Sequence, residues 1–312
     1  MEQPIRMKNN GQISITLTPK TKQDPVIEVQ FTRKERTKEL EVLMEIEEEL
    51  GTLVGLDEIK RIIKEIYAWI IINRKREEMG LKNSQLVLHM MFKGNPGTGK
   101  TTVARLIGKL FHKIHVLPKG HLIEAERADL VGEYIGHTAQ KTRDLIKRAL
   151  GGILFIDEAY SLGRGGEKDF GKEAIDTLVT HMENRANEFI LILAGYPQEM
   201  ERFLQLNPGL KSRFPIIIEF PDYTVDELMK IAQKLVREKE YQFTPDAERK
   251  LREHLVLVKT LYHTKHFSNG RYIRNIVEKS IRAQAMRLLL SNSFDRKELM
   301  TIRSVDLVFP DD

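Results

Sequence analysis

"GNPGTGKTT", Gly94 to Thr102, decides how the rest of this chain is read. The stretch fits the pattern G-x-x-x-x-G-K-[ST] in full, and it stands after an apolar run, "LVLHMMF" (86–92), and before a helical pattern. Each residue type answers a chemical need. Through Gly94, Asn95, Pro96, Gly97, Thr98 and Gly99 the glycines let backbone N–H groups close around phosphate oxygens at a helix N-terminus. Lys100 brings a positive charge to the β and γ phosphates, and the hydroxyl of Thr101, followed by Thr102, can ligate Mg²⁺.

Downstream, "GGILFIDEA" (151–159) supplies the second half of such a site. Ile153 to Ile156 form an apolar run suited to a buried strand, and its tip presents Asp157 for the Mg²⁺ shell. Glu158 follows as a carboxylate placed to polarise the attacking water. A phosphate loop and two carboxylates in this order imply binding and hydrolysis of a nucleoside triphosphate.

Around these motifs, short apolar runs alternate with helical stretches. "HLIEAE" (121–126), "ILFID" (153–157), "FILILA" (189–194) and "IIIEF" (216–220) read as strands beside "LVLHMMF". Strands alternating with helices predict a parallel sheet covered on both faces, a three-layer α/β domain over 49–221. After "FPDYT" (220–224) the strand signals fade, and helical periods over 226–239, 245–258 and 270–290 predict a small helical domain, 222–312, with its boundary near Pro221. Upstream, Asp57 stands as the N-cap of a helix carrying Ile59, Ile62, Ile63, Ile66 and Ile70 on one face. Residues 1–48 form a polar arm and linker: 1–32 read as a hairpin or a tail, and Leu40, Leu43, Ile46 and Leu50 mark a solvated amphipathic helix.

Composition narrows the classes. The 312 residues are 41% hydrophobic and 30% charged, and the longest apolar run, Ala68 to Ile72, is far too short to span a bilayer. With no cysteine, disulfides and thiolate metal sites are excluded, and the start "MEQPIRMKNNGQ" lacks a secretory pattern, so a cytoplasmic location is expected. The net charge of +5 is spread over 50 basic and 45 acidic residues, which argues against nucleic acid as the main partner. His254, His263 and His266 show no H-E-x-x-H spacing, leaving Mg²⁺ as the expected metal.

Taken together, these motifs resemble the AAA+ ATPases, and the resemblance covers roughly 49–290. "LVGLDEIK" (53–60) is similar to the family's N-terminal box, which places Gly55 and Leu56 against adenine and implies ATP. "EYIGHTAQKT", "ILFIDEAYSL", "ILAGYPQEM" and "NPGLKSRF" resemble the CbbX branch, which holds red-type Rubisco activases and a sporulation protein; the long polar arm favours the sporulation side. The resemblance implies an α/β ATPase domain with a helical lid, and assembly into a ring, a hexamer, that remodels a client protein. It casts Arg213 as an arginine finger reaching a neighbour's γ-phosphate, and Arg271, with Arg274 as the alternative, as the sensor-2 arginine. At sensor 1, where many relatives place Asn or Thr, "LAGYPQ" offers Gly195 and Tyr196.

One stretch fits none of the strand or helix patterns. "VGEYIGHTAQKT" (131–142) sets Tyr134 between Gly132 and Gly136 in a polar setting. In an AAA+ ring this is the place of the first pore loop, with the glycines leaving the backbone mobile and Tyr134, Ile135 and Gly136 forming the grip on an extended chain. Two other functions remain open at this level: Rubisco activation, and a nucleic-acid loader, for which the short acidic end "FPDD" offers no binding module.

Overall fold

Five apolar runs become five parallel strands in a computed structural model that describes residues 38–82, 87–134, 136–164, 169–185, 187–261, 267–292 and 294–309. The hairpin or tail expected over 1–32, Ile135, and the pair His263 and His266 lie outside those residues. Two compact units divide after Glu45. Of the first, the described residues are the opening turns of α1 (Lys38–Gly51).

The second unit starts with the remainder of α1, where Ile46 and Leu50 are buried, so the apolar face of this amphipathic helix packs into a core at its end. Next comes α2 (Asp57–Glu78). It does not use Asp57 as its cap: Leu56 occupies that position in a left-handed conformation (φ 59) and Asp57 is already helical, where its charge still favours the helix N-terminus.

Then β1 (Met90–Gly94), α3 (Lys100–Lys113), β2 (Leu122–Ala125), α4 (Arg127–Leu130), α5 (His137–Ala149) and β3 (Ile153–Ile156) follow. After a 3-10 turn over Ala159–Gly163 come α6 (Gly171–Asn184), β4 (Ile190–Gly195), α7 (Pro197–Leu206), α8 (Pro208–Lys211) and β5 (Ile216–Phe220). The strand order is β2-β3-β4-β1-β5, all parallel.

Position in the sheet explains the composition of each strand. Central β1, β3 and β4 are buried at every residue, because helices cover both faces and no side chain can reach water. Edge strands β2 and β5 carry partly exposed residues such as Glu124 and Ile217. Alternate residues serve opposite faces: Leu154, Ile156, Leu191 and Leu193 join a core with Leu145, Leu178 and Phe203 from α5, α6 and α7, while Ile153 points toward Gly108 of α3. All the strand tips that carry site residues end on one edge of this sheet.

Beyond Pro221 the chain is mostly helical: α9 (Val225–Glu238), α10 (Pro245–Leu261), α11 (Asn269–Ser291) and α12 (Arg296–Met300). A capping box starts α9: Thr224 Oγ1 accepts from the Glu227 N–H and Glu227 Oε2 accepts from the Thr224 N–H. Its apolar stripe, Leu228, Met229, Ala232 and Val236, is buried. Sequence patterning missed a two-stranded parallel ribbon, β6 (Gln242–Phe243) with β7 (Thr301–Ile302). Strands of two residues are too short to show any period.

Candidate nucleotide site

At the tips of β1, β3 and β4 a cleft of about 460 Å³ opens, closed on its other side by α9 and the start of α11. Gly94, Pro96, Gly97, Gly99, Lys100, Thr101 and Thr102 form one wall. Asp157 and Glu158 stand at the end of β3, Gly195 and Tyr196 at the end of β4, and Arg271 and Arg274 on the first turns of α11. The far end is more apolar, with Leu53, Val54, Leu56, Ile231 and Leu235.

Local chemistry explains the shape of the phosphate loop. Gly97 has φ +69, and a Cβ there would lie 2.1 Å from the Ser268 carbonyl and 2.7 Å from the Arg271 nitrogen. Only glycine lets the loop and α11 approach so closely. The Gly97 carbonyl in turn accepts the Gly270 N–H at 3.0 Å. Gly99 precedes α3 with no side-chain cap, so the first N–H groups of a 14-residue helix are left to the cleft, a setting that suits an anion.

Lys100 donates to the Gly94 and Asn95 carbonyls, each at 2.8 Å. Burial lowers its pKa, Asp157 opposes that, Arg271 adds to it, and Glu158 and Asp222 oppose it. A cation so placed is a partly desolvated charge facing carboxylates and an arginine, and phosphate oxygens would complete its neutralisation. Both Thr101 and Asp157 line the cleft, a hydroxyl and a carboxylate suited to a hard divalent cation such as Mg²⁺.

Strand geometry sets the carboxylates. Asp157 N–H donates to the Ala125 carbonyl at 3.0 Å, and Asp157 Oδ1 accepts the Glu158 N–H at 2.9 Å. Glu158 sits in the left-handed region (φ 46), a conformation that costs about 1 kcal/mol and turns its side chain into the cleft mouth. Beside it, the Tyr160 hydroxyl is pushed well above the usual tyrosine range by burial, then by the Glu158 charge and its hydrogen bond to Glu158. The Tyr160 and Tyr196 rings lie 5.9 Å apart, and the Arg164 guanidinium covers the Tyr160 ring at 4.6 Å.

Not every candidate residue reaches this cleft. Gly55 packs toward Glu227 and stays outside the wall, while Leu56 lines it. The side chains of Asn95 and Thr98 turn away, Asn95 to Asp222 at 3.0 Å and Thr98 to the Asn95 carbonyl at 2.8 Å. Arg213 is absent from the wall: its guanidinium pairs with Glu183 and donates to the Gly209 carbonyl, with 30% of the side chain exposed.

Tyr134 and Gly136 also stand apart, in the loop between α4 and α5. Tyr134 is 66% exposed, touched by the His137 ring at 5.4 Å, and Gly136 has open space around it. Gly132 is different from the mobile hinge expected: it is buried, its N–H donates to Thr138 Oγ1 at 2.9 Å, and a Cβ would collide with His137 at 2.5 Å. Half of the stretch that looked patternless is helix, since α5 begins at His137.

Sequence reading missed Tyr160, Asp222, Tyr223 and Asn269. The segment "FPDYT" drew notice only as a turn-rich boundary, yet Tyr223 lines the cleft and its hydroxyl donates to the Thr98 carbonyl at 3.0 Å. Among the described residues no group of three or more His, Asp or Glu side chains could hold a metal, and no helix is long and apolar enough to cross a membrane.

A parallel sheet with a phosphate loop at the tip of β1, two carboxylates at the tip of β3 and a helical segment closing the cleft defines a nucleoside-triphosphatase of the α/β type. Residues 90–222 match the model of the ATPase family associated with various cellular activities, and 224–312 match the AAA lid domain. The chain belongs to the AAA ATPases, and it is an ATPase. It is 63% identical over 311 residues to stage V sporulation protein K of Bacillus subtilis (strain 168), covering 98% of this chain and 97% of that one. It is 46% identical over 270 residues to protein CbbX of Cereibacter sphaeroides, covering 86% and 85%. In fold it is similar to the FIGL-1 AAA domain solved in complex with ADP, with a TM-score of 0.56 and 18% identity over 88% of this chain and 90% of that one.

Proposed function

We propose that this chain is a cytoplasmic protein-remodelling motor, a homo-oligomeric ring of six subunits that uses ATP hydrolysis to draw a client polypeptide through a central pore, acting in sporulation. In this reading adenine lies at the apolar end of the cleft near Leu56, and the phosphates lie along Gly94–Thr102 with Lys100 on the β and γ groups. Thr101 and Asp157 hold Mg²⁺, which supplies neutralisation of charge on the phosphates. Glu158 accepts a hydrogen bond and then the proton of a water whose oxygen bonds to the γ-phosphorus as the bond to the leaving ADP oxygen breaks. Tyr196 orients that water, and Arg271 senses the γ-phosphate from the lid. The sporulation role rests on the high likeness to stage V sporulation protein K over nearly the whole of both chains. Rubisco activation is the alternative, and we favour it less because the likeness to CbbX is lower.

The observation that carries the ring is the position of Arg213. It is one-third exposed beside Glu183 and outside its own cleft, so a γ-phosphate that it meets belongs to another subunit. Mixing wild-type with Arg213→Ala subunits tests this. Turnover is expected to fall well below the wild-type fraction, because each mutant subunit stalls its neighbour's site and, in a ring whose subunits hydrolyse in coordination, one stalled site holds back the others. Turnover that simply scales with the wild-type fraction, with single subunits fully active, refutes the ring mechanism.

A further inference from the structure

Four consecutive residues of the phosphate loop are bonded either to the strap that joins the sheet to the lid or to the first turn of α11. Asn95 Nδ2 donates to both oxygens of Asp222, at 3.0 Å each. The Asn269 Nδ2 donates to Asp222 Oδ1 at 2.7 Å and to the Pro96 carbonyl at 3.4 Å. Gly270 N–H donates to the Gly97 carbonyl at 3.0 Å, and the Tyr223 hydroxyl to the Thr98 carbonyl at 3.0 Å. Asn269 is fully buried, has φ 45, and accepts the Tyr223 N–H at 3.0 Å. Asparagine is one of the few residues with a side chain that tolerates this conformation, and glycine, which tolerates it better, could make none of these bonds.

Asn95 is the joint of the arrangement. Its carbonyl accepts from Lys100 while its side chain donates to Asp222. Phosphates that draw the Lys100 ammonium toward themselves remove one bond from the Asn95 carbonyl, which keeps that of the Thr98 hydroxyl, while the Asn95 amide stays on Asp222. We infer that Asp222 is a positioning residue that clamps the phosphate loop to the first turn of α11, so that nucleotide occupancy is passed to the lid through Asn95, Asp222 and Asn269. The inference rests on phosphates lying along Gly94–Thr102 and not on threading.

Two variants separate the side-chain bonds from the backbone. Asp222→Ala removes the shared acceptor, and Asn269→Gly keeps the left-handed conformation while removing the amide. Asp222→Asn is the conservative control, since its oxygen still accepts from Asn269 and its amide can donate to Asn95 after that amide turns over. ADP affinity is measured by calorimetry and ATP turnover by phosphate release, on the full chain. Each of the first two variants is expected to weaken ADP binding and raise KM by about tenfold, the scale of a typical coupling between sites, with kcat at saturating ATP held within about twofold. Their combination is expected to weaken binding no more than either alone, because both break the same relay. Asp222→Asn is expected to bind ADP within about twofold of wild type.

A merely structural role would lower thermal stability without the KM-against-kcat split and without non-additivity, and that result overturns the clamp. ADP binding by Asp222→Ala at wild-type affinity also overturns it, as does an Asp222→Asn variant as weak as Asp222→Ala. Should Asp222→Ala fail to fold, Asn269→Gly binding ADP like wild type refutes the relay by itself. A wild-type chain that fails to bind ADP overturns the phosphate-loop assignment beneath the clamp, whatever the variants do.

Discussion

Replacing Tyr134 with alanine distinguishes a ring that grips substrate from one that packs on its own domain. Tyr134 is 66% exposed, so about one-third of its surface is covered. Taking a tyrosine as about 200 Å² and burial as roughly 25 cal/mol per Å², the covered part contributes at most about 1.7 kcal/mol, an upper bound because the unfolded chain also covers some of it. Alanine keeps a share of that contact, and the edge-to-face approach of the His137 ring, at 5.4 Å, adds well under about 1 kcal/mol at an exposed site. A loss below about 2 kcal/mol lowers Tm by only a few degrees in a domain of this size. A ring packed in the core would instead cost roughly 3–5 kcal/mol. Thermal melting therefore shows little change in Tyr134→Ala, and calorimetric ATP affinity stays at the wild-type value, since the residue lies outside the cleft. Stimulation of ATP turnover by an unfolded polypeptide is expected to disappear. A fall in Tm of about 10 °C or more would show that burial has been misjudged. Unchanged stimulation would remove the loop from any role in gripping substrate.

Two further outcomes follow from the site and the core. Glu158→Gln keeps the shape of the cleft mouth but cannot take the water's proton; phosphate release is expected to fall by about 100-fold or more while ATP stays bound, and a variant with near wild-type turnover would exclude Glu158 as the base. His89 is buried between Phe189 and Phe214 and accepts the Leu191 N–H at 3.0 Å. Burial depresses its pKa from 6.5 to about 4, so on acidification the unfolded chain takes up a proton first and stability falls as pH drops from about 6.5 towards 4. At roughly 1.4 kcal/mol per pKa unit, the loss is about 3 kcal/mol when complete. Urea melts across that window should show the decline in wild type and a flatter profile in His89→Asn, and equal slopes in the two proteins would count against a neutral buried imidazole.

What could be read in the sequence was whatever is contiguous along it. The phosphate loop packs its glycines, lysine and hydroxyl into nine residues, and its strand-to-helix setting is local. Strands β1, β3 and β4 were legible because burial on both faces demands unbroken apolar runs, whose ends place Asp157, Glu158, Gly195 and Tyr196 in the cleft. The clamp was not legible: Asn95 and Asp222 are 127 residues apart, and Asn269 lies 47 residues beyond Asp222, so no period or spacing links them. Nor could patterning tell that Leu56 would take the left-handed cap position that Asp57 seemed to claim, because the chain there must also bring Leu56 into the cleft wall. Gly132 misled for a related reason. A glycine can mark freedom of the backbone or the close approach of another segment, and here the buried start of α5 requires the second.

The residues that lie outside the cleft also divide by the kind of contact that holds them. Arg213 is not free in the single chain: Glu183 and the Gly209 carbonyl satisfy its guanidinium. In the proposed ring, a neighbour's phosphate would compete with an existing ion pair that is partly exposed and worth roughly 0–1 kcal/mol. So weak a tether can be exchanged at little cost for a charge-assisted contact with phosphate, whereas a fully buried pair would resist exchange. The same reasoning sets Arg271 apart, since it already lines the cleft and needs no partner chain to face a nucleotide. If the proposed ring is right, loss of Arg271 acts on nucleotide handling within its own subunit, and loss of Arg213 only through its neighbour.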